Sequence, residues 1–221
     1  MIEKLIEYLS IFIAVLIVLP LHEFAHALSA VKCGDNTPKL YGRYTLNPLA
    51  HFDVTGLVLF VFTGFGWAKP VPINPYNFRK YKLGCFFTSI AGVLSNYILA
   101  FIAYPIVILA LTYIPQTGNF YLIAGQTLIN IYYFSLSFCV FNLLPIYPLD
   151  GFRVLDVFCN KNNKIYLFLR NYGRFILIGL LIFSLISDIT GIYALDFLGN
   201  GISYVVNVIS KPITASWCLI L

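Results

Sequence analysis

The chain contains a His-Glu-x-x-His pattern, formed by His22, Glu23 and His26. Residues four apart on a helix lie on one face, about one turn from each other, which is the spacing that two ligands of one zinc ion need. Residues 8 to 21 carry no charge, and ionisable groups inside so apolar a stretch are costly unless they have a function. The pattern therefore indicates catalytic metal chemistry inside a membrane.

The composition is that of a membrane protein. Hydrophobic residues make up 60% of the 221 residues and charged residues 10%, whereas soluble domains carry about 25% charged residues. The length leaves room for about four to six spans of about 20 residues and for no further folded domain. We predict an all-α polytopic membrane protein with one domain over residues 1–221. Its core covers 5–175, and a tail at 190–221 forms a span or an interfacial helix.

Hydropathy and turn residues predict where the elements lie. The first helix covers 5–31 and ends at Gly34, and it is a retained helix rather than a cleaved signal peptide. The polar loop 35–53 is expected to form short strands around residues 41–46. Residues 54–67 are apolar but too short for a span, and three glycines favour a re-entrant segment. Further spans are predicted at 84–114, 120–147 and 175–187.

The charges predict an orientation. Twelve of the fourteen Lys and Arg residues fall in three loops that these elements place on one face, so this face is predicted to be cytoplasmic and the N-terminus outside. The net charge of +5 is spread singly between apolar runs, which argues against a nucleic-acid partner. The five cysteines form no Cys-x-x-Cys pair, so they are interpreted as reduced thiols rather than as zinc ligands.

The histidine pair lacks a third ligand in its own helix. The glutamates are at positions 3, 7 and 23, so no glutamate lies downstream as in thermolysin-type peptidases. The extended His-Glu-x-x-His-x-x-Gly-x-x-His pattern is also absent, because Ser29 and Lys32 occupy its last two positions. The third ligand must then be His51 or an aspartate.

Asp150 is the strongest candidate for this ligand. Pro145 and Pro148 break a membrane helix just before it, and Gly151 gives the backbone freedom just after it. We expect the carboxylate to be held at membrane depth on non-helical chain, with the fourth zinc position open to water.

Other interpretations remain open at this point. The histidine pair could be hydrogen-bonded interior residues, and Asp150 with Gly151 could form an ordinary turn. His51 could be a solvated loop residue, or it could hydrogen-bond to a metal ligand, or it could gate access to the site. As a whole, the chain could be a membrane metal-binding or transport protein without hydrolytic activity, or a protease that has lost its activity. Transport is disfavoured because residues 84–114 and 120–147 offer only cysteine and tyrosine as titratable groups along a path.

Four linked motifs resemble those of a known family. They are HEFAH at 22–26, GRYTLNPLAHFD at 42–53, GWAKPVPINPYNFR at 66–79 and NLLPIYPLDG at 142–151. Across residues 10–155 the chain resembles the site-2 proteases, which are intramembrane zinc metalloproteases. Within them it is most similar to the short bacterial and archaeal members without PDZ or CBS domains.

The resemblance implies a catalytic site. One zinc ion per chain would be bound by His22, His26 and Asp150, with Glu23 as general base and acid. Asn142 and Asn96 would face the site and orient the substrate or the oxyanion; Val93, near Asn96, stands where the family usually has proline. The implied activity is hydrolysis of membrane-spanning protein substrates within or near the cytoplasmic side of the cell membrane, with the bilayer as the other partner.

Overall fold

The computed structural model describes residues 2–53, 55–56, 68–113 and 118–220, and within these ranges the regular structure is helical. Among the described residues, four helices are long and apolar enough to cross a membrane, which lies within the predicted number of spans: Ile2–Cys33, Tyr81–Tyr113, Tyr121–Leu143 and Lys164–Thr190. The all-α class is therefore confirmed.

The first helix, α1, runs from Ile2 to Cys33 and carries the histidine pair. It ends as predicted at Gly34, whose φ of +115° is a conformation that side chains disfavour. The backbone N–H of Arg79 donates to the carbonyl oxygen of Cys33 over 2.9 Å. The end of α1 is thereby joined to the chain just before the next long helix.

The loop after α1 is organised by Asp35 rather than by strands. Asp35 is fully buried, and its carboxylate accepts hydrogen bonds from the backbone N–H groups of Thr37 and Asn74 and from the side chain of Asn77. Burial by itself raises the pKa of Asp35, but the hydrogen bonds from Thr37, Asn77 and Asn74 together lower it below its usual value. Residues 74–77 are thus held against the end of α1.

The predicted strands at 41–46 are wrong, because these residues form turns and bends between two short helices, α2 (Thr37–Leu40) and α3 (Pro48–His51). Proline begins α3 and the Asn47 side chain caps it, so local capping overrides the β-propensity of the tyrosines and threonine. The β-structure in the described residues is one antiparallel bridge between Phe52 and Ala68. The re-entrant prediction for 54–67 lies almost entirely outside the described residues.

Two long helices pack against α1. They are α4 (Tyr81–Tyr113) and α5 (Asn119–Leu143), and α5 ends two residues before Pro145, as the prolines predict. Small side chains, including Ala14 on α1 and Ala100 and Ala103 on α4, are buried where the helices approach closely.

The C-terminal helix, α8 (Phe197–Cys218), also belongs to this bundle. Val206 and Ile213 of α8 are buried in the same core cluster as α1, α4 and α5. Pro105 in α4 lacks the N–H that would bond the carbonyl of Phe101, and the indole N–H of Trp217 donates to that oxygen over 2.9 Å. The tail therefore supplies a hydrogen bond to a carbonyl that Pro105 leaves without its helical partner.

Residues 150–190 form helices where the sequence predicts a basic loop and a short span. Helix α6 covers Asp150–Phe158 and α7 covers Lys164–Thr190. The Asn163 side chain caps α7 by accepting from the N–H groups of Ile165 and Tyr166. The helix therefore starts among the basic residues, eleven positions before the predicted span, because a helix that crosses a membrane can begin in the polar region outside it.

Candidate metal centre

His22 and His26 of α1 and Asp150 of α6 bring three ligand atoms together. The Nε2 atoms of the two imidazoles are 3.0 Å apart, and Oδ2 of Asp150 is 3.3 Å from that of His22 and 3.0 Å from that of His26. All three residues are buried. Two ligands each about 2.1 Å from a tetrahedral zinc ion lie about 3.4 Å apart, so the triangle has nearly the size that zinc needs.

Two further observations show that the site fits a metal ion. Oδ2 of Asp150 is buried and makes no hydrogen bond to a donor in the described part of the chain, a state that metal coordination would relieve. The absence of a side chain at Gly92 leaves space beside the ligand atoms. A Cβ there would lie 2.4 Å from Nε2 of His26 and 2.8 Å from Nε2 of His22. The two nitrogens and one carboxylate oxygen are a ligand set typical of catalytic zinc.

Helix α4 forms the wall behind the two histidines. Thr88, Gly92 and Asn96 are spaced four apart and so share one face of α4. The carbonyl oxygen of Thr88 is 2.7 Å from Nδ1 of His26, and Nδ2 of Asn96 is 3.1 Å from Nδ1 of His22. Each imidazole is thus fixed through the nitrogen that points away from the ligand triangle, as is usual for metal-binding histidines.

Asp150 is placed by close backbone packing. It is the first residue of α6, so the prediction that it lies on non-helical chain is wrong. Gly151 is needed for close contact rather than for conformational freedom, because a Cβ there would lie 2.2 Å from the carbonyl oxygen of Leu143 at the end of α5. On the other side, a Cβ at Gly173 of α7 would lie 2.6 Å from the carbonyl oxygen of Tyr147.

Aromatic and charged contacts complete this support. The Arg174 guanidinium donates to the hydroxyl oxygen of Tyr147 over 2.9 Å and lies over its ring. Phe152 of α6 stacks on Tyr166 of α7 with ring centroids 5.4 Å apart. The turn that precedes Asp150 is therefore held between the end of α5 and the face of α7.

Glu23 is held by an extended segment that crosses the site. Its Oε2 accepts a hydrogen bond from the backbone N–H of Val71 over 3.1 Å, and Oε1 makes no hydrogen bond to the described residues. Val71 lies in the GWAKPVPINPYNFR motif, between Pro70 and Pro72. The motif thus fixes one oxygen of the carboxylate and leaves the other available.

A cavity of about 270 Å³ opens next to the ligands. Hydrophobic side chains supply most of its wall, and polar groups come from the ligands, Glu23, Asn142 and Arg153. The Arg153 guanidinium is half exposed and lies 3.8 Å from Oδ1 of Asp150. Such a cavity has the character of an active-site pocket, with a few polar groups converging within an apolar wall.

The other residues singled out in the sequence have different positions. Asn142 lines the cavity, and its Nδ2 donates to the carbonyl oxygen of Phe138 over 3.1 Å. Asn96 is fully buried and is not among the described residues that line the cavity. His51 is also fully buried, with Nε2 2.8 Å from the carbonyl oxygen of Thr45, and it makes no hydrogen bond to the three ligands. The interpretation of His51 as a solvated loop residue is wrong.

Four residues that support the site are not predicted from the sequence: Thr88, Gly92, Val71 and Arg153. Gly92 does carry a sequence signal. It lies four residues before Asn96 in an apolar helix, and this is the same spacing that separates His22 from His26 in theirs. Thr88 and Val71 act through backbone atoms, which any residue type provides. Their roles therefore leave no mark in the sequence.

Two curated proteins are similar to this chain. "Putative zinc metalloprotease YwhC" of Bacillus subtilis (strain 168) is 41% identical over 158 residues, covering 69% of this chain and 69% of YwhC. "Putative zinc metalloprotease Rip2" of Mycolicibacterium smegmatis (strain ATCC 700084 / mc(2)155) is 30% identical over 174 residues, covering 72% of this chain and 62% of Rip2. No family model matches the chain, and no solved structure matches it.

Proposed function

The chain belongs to the site-2 protease-like family of zinc metalloproteases that includes YwhC, and from this premise we propose that it is an intramembrane zinc endopeptidase. The proposed reaction is hydrolysis of a peptide bond in a membrane-spanning protein. The observation that carries the proposal is the buried triangle of His22, His26 and Asp150 with Glu23 beside it.

One zinc ion per chain would be held by Nε2 of His22, Nε2 of His26 and Oδ2 of Asp150. When bound, zinc supplies the positive charge that polarises a carbonyl group and makes water more acidic. The protein contributes ligands of fixed geometry, because Thr88 and Asn96 orient the imidazoles and Gly151 sets the start of α6.

Glu23 is assigned as general base and acid. Its Oε2 is held by the Val71 N–H, so Oε1 is the oxygen that takes a proton from water and later returns it to the leaving amine. The hydrogen bond from Val71 keeps the carboxylate oriented through both transfers. Asn142 lies in the same cavity, and its amide would exchange the carbonyl of Phe138 for a substrate group in order to orient the substrate.

The size of the cavity supports an unwound substrate. A helix with its side chains is about 10 Å wide. The 270 Å³ cavity lies below the range of about 300 to 1,000 Å³ that small-molecule pockets occupy, so it accommodates a short extended stretch and not a helix. A membrane-spanning substrate must therefore unwind locally, and residues that break helices should favour cleavage.

Several contacts support a cytoplasmic opening. The basic residues beside the end of α1 and the start of α4 are brought to one end of the bundle by the hydrogen bond between Arg79 and Cys33. The basic segment at 153–164 meets the same end, because Phe158 packs on Phe86. His26 lies seven residues, or about 10 Å, before the end of α1. By the positive-inside rule this end faces the cytoplasm and the N-terminus lies outside.

The test uses the purified full chain, loaded with zinc, in liposomes with a membrane-spanning reporter peptide. Wild type should release a shortened fragment, and Glu23→Gln should lower the rate by about 10²- to 10⁴-fold because it removes the proton acceptor. Glu7→Gln is the matched control, since Glu7 lies on the same helix and is exposed.

Measuring the zinc content of each variant distinguishes loss of the general base from loss of the metal ion. Glu23→Gln should keep wild-type zinc content, since Glu23 is not a ligand. Cleavage by Glu23→Gln at the wild-type rate would refute the general-base assignment. Zinc-loaded wild type that leaves every helix-destabilised reporter uncleaved, yet binds or conducts metal, would favour the metal-binding or transport alternative.

A further inference from the structure

Asn96 is a buried polar side chain that contacts His22 without lining the cavity. It is fully buried on α4, and in the described part of the chain its side chain makes one hydrogen bond, to Nδ1 of His22. The atom facing His22 is Nδ2, and Oδ1 is buried without a partner among the described residues. The two ends of an amide have nearly the same shape, so a turn of the group by about 180° exchanges them. The hydrogen bond to His22 is therefore the contact that determines which end of the amide faces the imidazole.

The two possible orientations have opposite consequences for His22. If the amide N–H donates to Nδ1, a neutral imidazole carries its own proton on Nε2, the atom that points at His26 and Asp150. That nitrogen then has no lone pair for a metal ion. If the amide oxygen instead accepts from an N–H at Nδ1, the lone pair of Nε2 points into the ligand triangle.

The neighbouring histidine shows which arrangement the site uses. Nδ1 of His26 lies 2.7 Å from the carbonyl oxygen of Thr88, and a carbonyl can only accept. Nδ1 of His26 is therefore the protonated nitrogen and its Nε2 is free to ligate. The two Nε2 atoms are only 3.0 Å apart, so a proton on Nε2 of His22 would also occupy the space between them and Asp150 where an ion would bind.

We propose that Asn96 is a positioning residue whose side-chain oxygen accepts a hydrogen bond from Nδ1–H of His22 and so fixes the tautomer in which Nε2 can bind zinc. It then acts on the metal through His22 and does not touch the substrate. This inference rests on the proposed zinc site, and it replaces contact with substrate or oxyanion as the role of Asn96.

The test compares zinc affinity, measured by competition with a chelator, for Asn96→Asp and Asn96→Leu. Aspartate can only accept a hydrogen bond, so Asn96→Asp should keep or strengthen zinc binding. Leucine keeps the branched shape of asparagine, with a larger volume, but has no acceptor, so Asn96→Leu should bind zinc about 10- to 100-fold more weakly. Asn207→Leu is the control, because Asn207 is exposed on α8 and away from the site.

A second readout needs neither zinc nor activity. Nitrogen NMR of labelled histidine in the metal-free protein at mildly alkaline pH should show His22 protonated at Nδ1 in wild type and in Asn96→Asp. A proton on Nε2 of His22 in wild type, or weakened zinc binding by a folded Asn96→Asp, would overturn the inference. Neither outcome affects the proposed function, which fails separately if zinc-loaded wild type cleaves no membrane reporter.

Discussion

Gly92→Ala should disable the metal centre without a change in any ligand. The added Cβ would lie 2.4 Å from Nε2 of His26 and 2.6 Å from Cε1 of His22, whereas nonbonded heavy atoms prefer about 3.5 to 4.0 Å. One or both rings must therefore move by about 1 Å, while a metal site tolerates about 0.2 Å in its ligand distances. To bind zinc, the rings must return against this Cβ, which costs about 1–3 kcal/mol if it matches the usual cost of excess volume in a packed interior; that corresponds to a loss of about 5- to 150-fold in zinc affinity.

The assay is chelator competition for zinc on the purified protein, with thermal unfolding of the metal-free form as a check on folding. Gly179→Ala is a matched control, because Gly179 lies in another apolar helix and a Cβ there meets no atom within 4 Å. Gly179→Ala should bind zinc like wild type. A Gly92→Ala protein with wild-type zinc affinity and wild-type cleavage would refute the packing of α4 against the histidines.

Two further predictions concern the parts that hold the site in place. Trp217→Phe keeps the ring contact with Phe101 but loses the hydrogen bond to its carbonyl oxygen. The free energy of unfolding in lipid should therefore fall by about 0.5–1.5 kcal/mol. An unchanged value would show that another donor bonds this carbonyl. Because the pKa of Asp35 is lowered, its carboxylate stabilises the fold above about pH 4 and the stabilisation is lost as pH falls below that value. The difference in Tm between wild type and Asp35→Asn should therefore shrink in acid, and a difference that is constant from neutral to acid pH would contradict this role.

The three side chains of the candidate metal centre could be picked out from the sequence because each carries its own signal. Four-residue spacing puts His22 and His26 on one helical face in any helix, and the lack of a downstream glutamate directs attention to Asp150. The stop of α1 at Gly34 and the end of α5 before Pro145 follow from local backbone rules in the same way.

Features that depend on packing could not be predicted. Thr88, Gly92 and Asn96 become the wall of the site only because α4 lies against α1, and the sequence does not say which helices are neighbours. The role of Gly151 depends on packing in the same way, since its contact is the backbone of Leu143 on another helix. The predicted strands at 41–46 failed because buried Asp35 and the cap of α3 control that loop.

The central claim is that three side chains from two helices form one zinc site, and zinc stoichiometry tests it most directly. After zinc loading and removal of excess metal, wild type and the exposed-residue control Asp188→Ala should each retain about one zinc ion per chain. Asp150→Ala should lose most of its zinc, and His51→Ala should keep it. Zinc that persists in Asp150→Ala but is lost from His51→Ala would contradict the assignment of the third ligand.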